Sequence, residues 1–169
     1  MRSKKRKIIC DIAAFILTLS VLAAIRYAFN PVVVSGDSMY PTFCNADLCI
    51  GTRPTSADVL SAGDIVVFKE DGALMIKRIV AAPGDDVLIE SGMLYVNERL
   101  SPYQYEKIEE PGIAKETVHI SDDEYFCMGD NRNTSYDSRS YGPVTYSQII
   151  CVVNNRLINL SPSKKGANI

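Results

Sequence analysis

Hydrophobic and polar positions follow two regimes along this chain. Residues 8–29 contain an almost unbroken apolar run, I-A-A-F-I-L-T-L-S-V-L-A-A-I over 12–25, with charge only near its ends at Asp11 and Arg26. With its flanks the run reaches about the 20 residues that a helix needs to cross a bilayer, and the end charges can reach the headgroups. From residue 43 onward the pattern turns to short apolar runs separated by turn signals, without helical periodicity of any convincing length. Residues 64–68 and 74–80 flank Asp71-Gly72 and read as a hairpin. Residues 86–89 and 93–96 flank Glu90-Ser91-Gly92 and read as a second one. Residues 124–128 and 149–153 supply two later strands, and 32–34, β-branched between Pro31 and Gly36, an earlier one. The spacing predicts a mainly β body, a barrel or a pair of packed sheets, behind a single N-terminal transmembrane helix. Residues 101–123 are polar and acidic, with weak alternation, and are expected to form a surface excursion; the tail 161–169 is expected to be loose.

Charge sharpens the division. Of 18 basic residues six lie in 1–30, against one of the 20 acidic ones, so the rest of the chain carries 12 basic and 19 acidic residues, a net of −7. An acidic body argues against nucleic acid as a partner. Five basic residues within the first seven place the N-terminus in the cytoplasm. A cleavable secretory signal would show a shorter apolar region ending in an A-x-A-like site, and Ala23-Ala24-Ile25-Arg26 offers none. A buried core helix would leave the basic cluster unexplained. The expected organisation is a cytoplasmic basic segment (1–7), a signal-anchor helix (8–29) and an extracytoplasmic domain (30–169) close to the membrane and its lipids. At 169 residues there is room for one domain, or for one domain plus a membrane anchor. Five cysteines (Cys10, Cys44, Cys49, Cys127, Cys151) match no zinc spacing, and their redox state is open, with a Cys44–Cys49 bridge or free thiols equally allowed.

Three stretches hold candidate chemistry. In V-V-V-S-G-D-S-M-Y-P-T (32–42), Gly36 lets the chain turn or lie close to another backbone, and Pro41 fixes the bend. Ser38 is thereby exposed at the end of an extended segment, as a nucleophile beside a groove or simply as a turn residue. In 74–80, Met75, Lys77 and Ile79 share one face of the strand, so Lys77 sits between apolar neighbours. Desolvation there would lower its pKa toward that of a general base, unless the side chain snorkels to water. The third stretch, 129–144, packs Asp130, Asn131, Arg132, Ser135, Asp137, Ser138 and Arg139 behind an apolar strand, as a solvated loop or as a buried network. The single histidine, His119, lies between Val118 and Ile120, and a Ser-His-Asp triad would have to use it. Serine–lysine pairs are a recognised alternative.

S-G-D-S-M-Y-P-T (35–42), G-D-I-V-V-F (63–68), K-R-I-V-A-A-P-G-D (77–85) and G-D-N-R-N-T-S-Y-D-S-R-S-Y-G-P-V (129–144), in this order behind an N-terminal anchor, resemble the bacterial type I signal peptidases in their short Gram-positive form. The resemblance implies a mostly β fold with a catalytic groove near the membrane surface. It implies a serine endopeptidase that removes signal peptides from exported preproteins, cleaving after small, A-x-A-like residues. Ser38 would be the nucleophile, Lys77 the general base and then acid, Ser135 an orienter of the lysine, and Asp137 and Arg139 braces. No metal or cofactor is implied. Many Gram-negative members carry an oxyanion-hole serine two residues before the nucleophile, where this chain has Gly36, which raises the question of an oxyanion hole with backbone donors only. A LexA-like self-cleaving Ser–Lys protein would lack the anchor and carry a DNA-binding domain. A non-catalytic, membrane-anchored assembly or binding protein would have no need of both Ser38 and Lys77.

Overall fold

Two-residue turns set the register of the body. At Asp71-Gly72 and again at Ser91-Gly92 both residues have positive φ (46° and 83°; 54° and 81°), the backbone that matches the twist of a tight hairpin. The first turn joins β3 (Ile65–Glu70) to β4 (Ala73–Ala81), and the second joins β5 (Asp86–Glu90) to β6 (Met93–Val96). Both hairpins form where the turn signals predict them. A computed structural model describes residues 2–55 and 59–158. The expected loose tail lies outside the described residues.

The remaining strands are β1 (Phe29–Val33), β2 (Leu48–Thr52), β7 (Arg99–Leu100), β8 (Val118–His119), β9 (Glu124–Met128), β10 (Val144–Thr145) and β11 (Ile149–Ile158), with helices α1 (Arg2–Ala28) and α2 (Ser138–Tyr141). They build a seven-stranded sheet in the order β1-β2-β11-β3-β4-β9-β10 and a four-stranded sheet in the order β7-β6-β5-β8. The body is mainly β, as expected, but it is two packed sheets: β1 and β10 end the larger sheet without pairing to each other, so no barrel closes.

Alternation along β3 and β4 explains why the middle of the larger sheet is dry. Val67 and Ile76 face a core with Val34, Met39, Phe43, Cys49 and Cys151. Val66, Phe68 and Ile79 face another with Leu60, Tyr125, Cys127, Val144 and Ile149. Where β4 meets β9, Val80, Ala81, Phe126 and Met128 pack on the smaller sheet through Val87, Ile89 and Leu94. Both faces of β4 are therefore covered, and residues 76–81 are all buried. The segment 101–123 departs from the expected surface excursion. Ser101, Ile108, Ala114 and Ile120 are buried, and β8 pairs with β5. Widely spaced single apolar residues anchor this segment, a pattern that strand periodicity does not reveal.

All five cysteines are free thiols. The apolar N-terminal run is helical, as α1, and at about 1.5 Å per residue its 27 residues extend for about 40 Å. Among the described residues its large apolar side chains, Phe15 and Leu17 included, are exposed. Among the described residues, no helix is long and apolar enough to count as a membrane crossing.

Candidate active site

Lys77 occupies the point on β4 where its neighbour strand leaves. β9 pairs only with Arg78, Ile79 and Ala81, after which the chain turns away at Gly129. The next residue toward the start of β4 is Lys77, enclosed by the core on its own face and 3% exposed. It does not snorkel. Its Nζ lies 2.8 Å from Ser38 Oγ. Burial holds the Lys77 ammonium below the ordinary lysine range, while the negative charge of Asp137 works in the opposite direction.

Ser38 is held by its backbone. Its carbonyl accepts from Asn131 N–H at 3.0 Å, and the Asp37 carbonyl accepts from Asn131 Nδ2 at 3.1 Å. Gly129 lies so close that a Cβ there would overlap the Ser135 side chain and come within 2.5 Å of the Ser38 carbonyl oxygen. Glycine is thus required for close approach of the two segments. Among the described residues nothing accepts from the Ser38 N–H. Gly36, at φ 86°, donates its N–H to Asn45 Oδ1 at 2.9 Å and is not a free donor.

Within the polar stretch 129–144 the charged residues Asp130, Arg132, Asp137 and Arg139 form a buried network, while Asn133, Thr134, Tyr136 and Ser140 are exposed. Asp137 is fully buried, and its carboxylate accepts from Arg139 Nε at 2.8 Å, Arg139 Nη2 at 2.9 Å and the Gly129 N–H at 3.0 Å. It also caps α2, accepting from the Arg139 N–H at 3.2 Å. Arg139 spends its remaining donors on the carbonyls of Glu110, Arg132 and Ser135. Ser135 lies near the Ser38 carbonyl across Gly129, and its buried hydroxyl has no hydrogen-bond partner among the described residues. His119 is on the other sheet, exposed and paired with Asp86 at 2.8 Å, which takes it out of any triad with Ser38.

A cleft of about 450 Å³ leads to the pair. Asn30, Pro31, Val32, Val33 and Ser35 form one wall and Leu74, Met75, Ile76 and Lys77 the other, with Val67, Ile150 and Cys151 between them and Ser38 at the end. β1 ends the larger sheet, and 73–77 of β4 has β3 on one side only, so two strand edges with unpaired backbone groups border the cleft. A hydroxyl 2.8 Å from a desolvated amine, beside a groove with open strand edges, can perform nucleophilic attack on a peptide laid in extended form. Among the described residues no cluster of His, Cys, Asp and Glu is arranged to hold a metal ion.

Comparison with known proteins assigns the family. The model of the family described as signal peptidase, peptidase S26, matches residues 7–158. The chain belongs to the S26 signal peptidase family. It is 34% identical to signal peptidase I S of Bacillus subtilis (strain 168), with 87% of each chain covered. It is 32% identical to signal peptidase I of Bacillus amyloliquefaciens, covering 88% of this chain and 87% of the relative. A solved signal peptidase I from Enterococcus faecalis V583 is 24% identical, with a TM-score of 0.46, and covers 59% of this chain and 100% of that one. As a member of this family the chain is a peptidase.

One cluster beside the site escapes a reading by motif. Asp130 accepts from Arg78 Nε at 2.9 Å and Nη2 at 2.7 Å, and it also accepts from the Thr42 hydroxyl. Two aromatic residues of the 101–123 segment, Tyr103 and Tyr105, stack on that arginine. Arg78 follows Lys77 directly and Asp130 lies between Gly129 and Asn131, which was the available signal. The tyrosines gave none.

Proposed function

We propose that this chain is a membrane-anchored serine endopeptidase that removes signal peptides from exported preproteins with Ser38 as nucleophile and Lys77 as base. The observation that carries the reading is the 2.8 Å approach of Lys77 Nζ to Ser38 Oγ on a lysine that is only 3% exposed. Neutral Lys77 takes the Ser38 proton as the oxygen attacks the carbonyl after the last signal-peptide residue. The ammonium then protonates the leaving amine, and water, activated by the same lysine, hydrolyses the acyl-enzyme. The free Ser38 N–H is the donor for the developing oxyanion, since Gly36 has no hydroxyl and its N–H is engaged by Asn45. The scheme requires no cofactor.

The substrate lies in the apolar cleft as an added strand against the open edges of β1 and β4. Small side chains at positions −1 and −3 let its backbone reach Ser38, consistent with A-x-A-like specificity. Helix α1 holds the domain at the membrane, with the basic N-terminus in the cytoplasm and residues 30–169 outside. Ser135 buttresses the serine and lysine, and Asp137 with Arg139 braces the loop. Detergent-solubilised full chain incubated with a synthetic signal-peptide substrate should cut once, after the small residue at −1, and Ser38→Ala should abolish the cut. Cleavage by purified Ser38→Ala at the wild-type rate would remove the serine from the mechanism.

A further inference from the structure

Three segments that hold the reacting pair meet in one charged knot. Arg78, next to Lys77, donates to Asp130 at 2.7 and 2.9 Å and to the Gly63 carbonyl at 2.8 Å. Asp130 in turn accepts from Thr42, four residues after Ser38, and its neighbour Asn131 bonds the Ser38 carbonyl. A third segment covers the knot. The guanidinium carbon of Arg78 lies 5.5 Å from the ring centres of both Tyr103 and Tyr105. Arg132 lies 5.4 Å from the Tyr105 ring, so two guanidinium groups share that ring.

The seating of these rings is built. The Tyr103 hydroxyl donates to the Ala62 carbonyl at 3.0 Å, and its ring lies where a Cβ on Gly63 would be, which leaves room for glycine alone at a φ of 108°. The Tyr103 carbonyl accepts from Arg132 Nη2. Arg132 is 1% exposed, and its Nε and Nη1 have no hydrogen-bond partner among the described residues. A buried guanidinium short of acceptors depends on an aromatic face for compensation, and desolvation strengthens that attraction.

We propose that Tyr105, supported by Tyr103, is a positioning residue for the Ser38–Lys77 pair, its ring clamping Arg78 so that the strand carrying the lysine and the turn carrying the serine keep their separation. The inference rests on the reading of Ser38 and Lys77 as the reacting groups. Among the described residues Tyr105 makes no hydrogen bond to either of them, and it does not line the cleft. Its removal should therefore slow the chemical step without weakening substrate binding. A nucleophile displaced by about 1 Å loses on the order of 100-fold in rate.

The test is steady-state cleavage of a signal-peptide substrate by the full chain, well below each variant's melting midpoint. Tyr105→Leu should lower kcat by roughly 10- to 100-fold with KM within about twofold. Tyr105→Phe, which keeps the ring on Arg78 and gives up only the hydroxyl's hydrogen bonding with Thr42 and Asp130, should recover most of that loss. A raised KM with unchanged kcat would make Tyr105 a substrate contact and overturn the proposal, as would unchanged kinetics or a Phe variant as slow as Leu. If Tyr105→Leu does not fold, Tyr103→Leu carries the same expectation at smaller size, because Arg78 then keeps one ring. Ser38→Ala and Lys77→Met run alongside. Activity in either would sink the underlying assignment, whereas inactivity of both with wild-type kinetics in the tyrosine variants would sink only the clamp.

Discussion

As the proposed base, Lys77 would have to exchange the charged form it takes in water for a neutral amine in the site. With an ordinary pKa of about 10.4, an exposed lysine is the free base in only about one of a few thousand molecules at pH 7. Burial is the largest influence on Lys77 and favours the neutral form, against the opposing pull of Asp137. The alternation of 74–80 made the enclosure legible in advance, because Met75 and Ile79 flank the lysine on its own face. The opposing carboxylate, 60 residues away in the chain, was not legible as a neighbour. Protonated Lys77 cannot accept the Ser38 proton, so the rate should fall as pH drops through the lowered pKa. Met75 is half-buried and lines the cleft, which makes Met75→Asp the variant that adds charge with least damage to the core. A new carboxylate stabilises the ammonium, raises the pKa and moves the acid limb to higher pH. A pH–rate profile checks both statements. A wild-type limb above about pH 10, where an unshifted lysine titrates, would refute burial as the activator, and a Met75→Asp limb that stays in place would refute the face assignment.

The working unit at the next scale is a strand and the loop that replaces its neighbour. β9 supports β4 through Arg78, and from Gly129 onward the polar loop takes over, reaching Ser38 through Asn131 and closing on Asp137. The strands that flank it were legible because 64–80 and 124–128 carry strong local signals. β2 was not, since L-C-I-G-T is interrupted by a glycine, and its place between β1 and β11 comes from pairing distant in sequence. The loop's composition left solvated surface and buried network equally open; only the tertiary partners of Asp137 decide it. That carboxylate is fully buried and accepts from both the Arg139 guanidinium and the Gly129 N–H. Removing one partner of such a pair strands the other charge in the interior, at about 3–5 kcal/mol. Asp137→Ala should therefore lower the thermal midpoint substantially and reduce turnover with it. Because Asp137 also raises the pKa of Lys77, the acid limb of the residual activity should shift to lower pH. Calorimetry with a pH–rate profile tests this pair of effects, and wild-type melting with wild-type turnover would show the brace to be dispensable.

At the scale of the whole molecule, charge and hydropathy divide the chain more sharply than the fold does. The body carries a net of −7 and the first seven residues carry five basic side chains, with α1 between them. The side chains described along α1 are exposed, Phe15 at 69% and Leu17 at 65%, and the body does not cover them. α1 runs without a gap into β1, one wall of the cleft, so an anchor in this position would set the distance between cleft and membrane. In the proposed topology the basic residues would resist transfer and fix the direction of insertion. Protease added to the outside of intact spheroplasts should therefore digest residues 30–169 and leave an N-terminal fragment, detected by a tag before residue 2, in the membrane pellet after alkaline extraction. Replacing Arg2, Lys4, Lys5, Arg6 and Lys7 by Gln should reduce the fraction in this orientation, because the bias that retains the N-terminus is gone. Full protection of the body in intact cells would invert the topology. Release of the intact chain by alkaline extraction would show that α1 lies against the membrane instead of crossing it.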